Sequence, residues 1–216
     1  MKHIVYQPYE PRDFKALSDI VKITWGHGKS YTAAAAVRLS NAYLWSCLAE
    51  QTFIQVALDH EKPVGVIMGK DLRGNHSPLL FRLRARLAAV ILSLTAEGRR
   101  AWHFYGEVDR IYGELLSGQT EHYEGELSFF AIHPDYRGFG IGKELYRRFL
   151  NYMDSEGIER FYVFTDTTCN YVFYERQNMV RCGTEEVTLQ VNGNPKDFLF
   201  FIYENAAGGK RNERES

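Results

Sequence analysis

The chain has 216 residues, 45% of them hydrophobic and 25% charged, with a net charge of −1. This balance suits an ordinary globular protein with a sizeable core and gives no general reason to expect nucleic acid or a membrane as a partner. With no apolar run near the roughly 20 residues of a bilayer span, no signal-peptide core at the N-terminus and three cysteines without C-x-x-C spacing, a cytoplasmic protein with reduced thiols and no metal is expected.

In chain order, "HIVYQPY" predicts a first strand and "PRDFKALSDIVKITW" a helix with Phe14, Leu17, Ile20 and Val21 on its apolar face. "WGHGKSYT" is a glycine-rich break, and Thr32 is placed to cap a helix over 33–51. Two β-rich runs at 53–58 and 64–70 predict a hairpin whose polar turn ends at Pro63. From about 73 to 122 the pattern becomes helical. Leu79, Leu83, Leu87, Val90, Ile91 and Leu94 recur first, then a break near Gly98, then Phe104, Val108, Ile111, Tyr112 and Leu115. This predicts a helical hairpin that packs one face on the body and leaves an arginine-bearing face in water.

"ELSFFAIHP" returns to strand and ends at Pro134. The following helix carries Leu145, Phe149 and Met153 inward and stops near Gly157. "IERFYVF" is apolar on both faces, as an interior strand is. "NYVFYERQ" predicts a short helix, and "TEEVTLQV" with "DFLFFIYE" a hairpin across Asn192-Gly193. A single domain over 1–204 follows, with residues 73–122 inserted in it and 205–216 a polar, disordered tail.

Between the strand and helix of that second half lies "YRGFGIGKELYRRFL". Glycine at 138, 140 and 142 lets backbone N–H groups line a concave surface at a helix N-terminus, where a phosphate is favoured. Neither common nucleotide loop fits. "GKS" at 28–30 has Ile23 where a Walker A loop needs its first glycine, and the G-x-G-x-G spacing is not the Rossmann G-x-G-x-x-G.

The pattern that fits is R-x-x-G-x-G, as Arg137, Gly140 and Gly142. With "NYVFYERQNMV" at the right separation, the sequence over about 126–180 resembles the GNAT superfamily of acyl-CoA-dependent N-acetyltransferases. The resemblance implies a mixed α/β (α+β) fold with a central, mostly antiparallel sheet flanked by helices. It also implies acetyl-CoA as the donor, its pyrophosphate held by Arg137, Gly138, Phe139, Gly140, Ile141, Gly142 and Lys143. The backbone N–H of Ala131 or Ile132 would polarise the thioester carbonyl. Asn170 would either cap the short helix or contact the cofactor.

The resemblance further implies Glu126 as the base that frees an amine of pKa about 10, and Tyr174 as the acid for the departing thiolate. Whether Glu126 faces the cleft depends on strand register. Where the family often has glycine, this chain has Asn178, the next best residue for a left-handed cap. Cys169, without a partner base, is an incidental thiol.

The activity implied is direct acetyl transfer in a ternary complex to a primary amine, a small molecule ahead of a protein amine. The alternative is an acyl-CoA-binding sensor or interaction module without turnover. The insertion holds seven arginines between 73 and 120 against four acids (Glu97, Glu107, Asp109, Glu114). It could cover the acceptor site, form a homodimer surface or simply be solvated.

Overall fold

The structure is a computed structural model that describes residues 3–26, 31–74, 79–191 and 194–206. Strand β1 (Ile4–Pro8) leads through a 3-10 turn (Pro11–Asp13) into α1 (Phe14–Thr24), whose Leu17, Ile20 and Val21 are buried as expected. Helix α2 (Ala33–Leu48) begins where the Thr32 hydroxyl accepts a hydrogen bond from the Ala35 N–H, the cap read from the sequence. Strands β2 (Phe53–Asp59) and β3 (Lys62–Asp71) form the predicted hairpin. His60 and Glu61 both take positive φ in its two-residue turn, the twist that suits antiparallel strands.

Helices α3 (Leu79–Ser93) and α4 (Ala96–Ser117) make up the insertion. Then follow β4 (Gly125–Ile132), α5 (Ile141–Ser155), β5 (Phe161–Asp166), α6 (Val172–Arg176), β6 (Val180–Val191) and β7 (Asn194–Glu204). The Asn192-Gly193 turn, the tail from 207 and part of the break after Trp25 lie outside the described residues.

The strands form one seven-stranded sheet in the order β1-β2-β3-β4-β5-β7-β6. Every neighbouring pair is antiparallel except β4 and β5. One face is covered by α5, whose Leu145, Phe149 and Met153 pack with Ile67, Leu127, Phe161, Val163 and Tyr203. On the other face α1 and α2 cover β2–β4 through Leu17, Leu44, Val56, Val66 and Phe129. There α4 covers β5–β7–β6 through Ile111, Leu115, Tyr162, Phe200 and Ile202.

The parallel pair decides where a site can be. Its ladder has two rungs, Gly125 with Phe161 and Glu126 with Tyr162. Beyond them β4 runs on to Ile132 and β5 to Asp166 without pairing, so the sheet forks from Glu126 onward.

The insertion departs from its sequence reading in two ways. The break between its helices falls at Leu94-Thr95, and Gly98 lies in the first turn of α4, where its N–H donates to the Thr95 hydroxyl at 3.0 Å. Glycine is required there for space: a Cβ would sit 1.8 Å from the Leu92 carbonyl oxygen. Gly98→Ala should therefore lower the melting temperature by about 3–10 °C, as overpacking of about 1–3 kcal/mol does in a chain of this size. An unchanged melting curve would show that the α3–α4 corner is not close-packed.

The second departure is the leucine stripe of α3. It was expected to pack on the body, yet Leu79, Leu83, Leu87, Val90, Ile91 and Leu94 are all exposed. The helix instead rests on its narrow side, with Phe81 against Trp45 and Leu92 beside Leu39. The periodicity was that of an apolar face, but its partner is not the body of the protein.

Candidate active site

Glu126 stands on the last rung before the fork. Gly125 points toward α5, where a Cβ would meet Ile158 and Met153, so strand alternation turns Glu126 to the α2 and α4 side. There it accepts a hydrogen bond from the Tyr162 hydroxyl at 3.3 Å and lies opposite Lys70 of β3. Burial raises its carboxyl above the ordinary 4.5. The Lys70 charge opposes this, Glu50 adds to it, and the Tyr162 bond lowers it slightly. Lys70 is itself paired with Glu50 at 2.7 Å. A half-buried carboxylate with raised proton affinity is suited to taking a proton at neutral pH.

Past Glu126 the antiparallel ladder with β3 assigns the backbone. The His133 N–H donates to Val64, directly opposite it. Alternation then gives the Ala131 N–H to β3 and leaves those of Ile132 and Phe130 directed into the fork. Of the two residues named from the sequence for the thioester carbonyl, Ile132 is thus the one whose N–H faces the opening.

The glycine loop ends at the N-terminus of α5. Gly138 and Gly140 have φ of +81° and +77°, a conformation only glycine takes at little cost. Gly140 is the N-cap residue and no side chain caps the helix, unlike Thr32 on α2 and Thr95 on α4. The first intrahelical donor is the Glu144 N–H, to Gly140. The N–H groups of Ile141, Gly142 and Lys143 are thereby left without helical partners, beside exposed Arg137 and Lys143. A cavity of about 360 Å³ adjoins this end, lined by Gly140, Lys143, Glu144, Tyr146, Arg147, Leu150 and Gln177, with the Glu144 carboxylate paired to Arg147 and Arg148. Phe139 projects into solvent, 61% exposed. This donor set fits a diphosphate.

Tyr174 on α6 is buried beside Tyr203 and Phe173. Burial raises its phenol, so it holds its proton throughout the neutral range. Asn170 does not cap this helix: the N-cap residue is Tyr171, and no side-chain cap bond forms. The Asn170 carbonyl accepts from the Phe173 N–H, and its side chain is exposed. Asn178 takes φ of +59°, the left-handed cap expected of it. The Cys169 thiol is pushed up to about 11 by burial and by Asp166, which disfavours a nucleophilic thiolate.

Sequence reasoning missed an aromatic wall on the Glu126 side of the sheet. Trp25 stacks on Phe129 at 5.2 Å and lies 5.4 Å from Tyr43. Tyr43 reaches Tyr105 of α4 at 5.6 Å, and Tyr112 stacks on Phe164 at 4.4 Å. The alternation of Tyr162 and Phe164 along β5 was the only local signal. The rest comes from the end of α1, from α2, α4 and β4, which are distant in sequence.

The profile of the Acetyltransferase (GNAT) family matches residues 17–179, and the chain belongs to that family. An uncharacterized ycf52-like N-acetyltransferase of Prochlorococcus marinus is 32% identical over 99 residues, 46% of this chain and 50% of that protein. The chain thus spans about half the length of the curated relative it matches. Among solved structures, a putative phosphinothricin N-acetyltransferase superposes with a TM-score of 0.58 at 12% identity, over 95% of this chain and 99% of the other. A GCN5-related N-acetyltransferase from Rhodopseudomonas palustris gives 0.52 at 15% identity, over 94% and 96%. These likenesses establish the same fold.

Proposed function

We propose that this chain transfers the acetyl group of acetyl-CoA to the primary amine of a small molecule, by direct attack in a ternary complex. The observation that carries this is the fork, with Glu126 at its apex and an uncapped, glycine-lined helix N-terminus at its mouth. The donor supplies an activated thioester. The backbone N–H groups of 141–143, with Arg137 and Lys143, hold its diphosphate. The Ile132 N–H, directed into the fork, polarises the carbonyl.

Glu126 takes the proton of the incoming ammonium, and the freed nitrogen forms the new C–N bond as the C–S bond breaks. Tyr174 donates to the sulfur as charge gathers there, and the thiol leaves protonated. With α4 lying across this face and an aromatic wall beside Glu126, a small amine with an apolar body fits better than a protein segment.

The test is thiol release from acetyl-CoA across a panel of primary amines. Turnover is expected, and Tyr174→Phe should reduce kcat by about ten- to a hundredfold with donor affinity unchanged. Donor binding without thiol release on the whole panel would overturn the proposal and favour a non-catalytic acyl-CoA-binding module.

A further inference from the structure

Helix α3 presents to solvent what helices ordinarily bury. Of its fifteen residues only Leu92 is buried. Leu79, Leu80, Leu83, Leu87, Val90, Ile91 and Leu94 are 44–74% exposed. At 100° per residue these seven share an arc of roughly 120°. Trp102 of α4, 59% exposed, extends the patch across a depression lined by Ala89, Val90, Ser93 and Arg99. A contiguous apolar face of this extent exceeds what monomers commonly expose and marks a docking surface.

The charges choose the occupant. Arg82 and Arg86 border one edge of the arc and Arg84 the other, where its guanidinium lies over Trp45 at 5.0 Å. There is no acidic residue from Leu79 to Ser93, and among the described residues no carboxylate pairs with any of these three arginines. A second copy laid face to face would bring the same acid-free, triply cationic helix against itself, with like charges along both borders. An acyl-chain boundary beneath anionic headgroups answers both properties at once. Leucine, valine and tryptophan enter it while arginines stay at headgroup level.

We propose that α3, together with Trp102, seats this protein on an anionic membrane surface, with Arg82, Arg84 and Arg86 on lipid phosphates. The overall charge of −1 conceals this, because it averages over a chain in which this one helix carries three arginines and no acid. The inference does not rest on the proposed reaction.

Flotation of the full chain with phosphatidylcholine vesicles, with and without an equal part of phosphatidylglycerol, is the test. Binding is expected to the mixed vesicles only, and to weaken with salt. Arg82→Gln and Arg86→Gln should each weaken it about fivefold. The double change Leu83→Asp with Leu87→Asp should abolish it while lowering the melting temperature by only a few degrees, since both residues are more than half exposed. Failure to bind mixed vesicles at low salt would overturn the proposal. So would a concentration-dependent dimer that Leu87→Asp dissociates, which would assign the face to a second copy.

Discussion

Glu126→Gln is expected to lower kcat for acetyl transfer by a factor of 10²–10⁴, the usual worth of a positioned general base, with acetyl-CoA affinity unchanged. In the wild type, kcat/KM should fall on the acid side as Glu126 gains its proton. That limb lies above the ordinary carboxylate range because burial raises this carboxyl. The amide variant should lose the limb. Stability gives an independent readout with a definite sign. The folded-state pKa is raised, so the protonated form contributes stability below the unfolded value of 4.5 that is lost as pH rises through the folded value. A neutral glutamine escapes that loss. The variant should therefore melt no lower than wild type near pH 8, and the difference should vanish in acid. A variant that is inactive and also melts lower near pH 8 would mean Glu126 is structural.

Gly140→Asp should weaken acetyl-CoA binding by more than a hundredfold. A carboxylate roughly 5 Å from a diphosphate charge costs about 3 kcal/mol at an effective dielectric of 20. Gly140→Asn is the matched control. Asparagine has the same shape and, like Asn178, tolerates positive φ. It should lose about tenfold or less. A Cβ at this position meets nothing within 4 Å, so the structural cost of both variants is the strain of the positive φ, which the matched pair shares. Calorimetric titration at low and high salt separates the two effects, because salt shrinks only the gap between aspartate and asparagine. Equal affinities for the pair would remove the diphosphate from this loop.

The strands, the glycine loop, Thr32 as a cap and Asn178 as a left-handed residue were all legible because local chemistry decides them. Alternation, positive φ and caps involve few residues. The face of Glu126 was not legible, since it depends on pairing with Lys70 and Tyr162, which are far away in the chain. Gly98 misled because glycine marks both a break and a close approach, and only the Leu92 carbonyl distinguishes them. Asn170 failed as a cap by one residue, within the ordinary uncertainty of a helix end. The α3 stripe was correctly read as apolar and wrongly assigned a partner. Periodicity reveals that a face must be covered, not by what.

The fork also bears on where the sheet leaves its backbone unpaired. Two runs of unpaired backbone donors and acceptors on β4 and β5 would recruit foreign strands if they lay at the margin of a sheet. Here they face one another inside it, between α5 on one side and α2 with α4 on the other. The true margins are β1, only five residues long and closed by Pro8, and β6, which carries exposed Arg181, Glu185 and Glu186. Unpaired backbone is thus kept inside the sheet and beneath its covering helices, while the margins are short or charged.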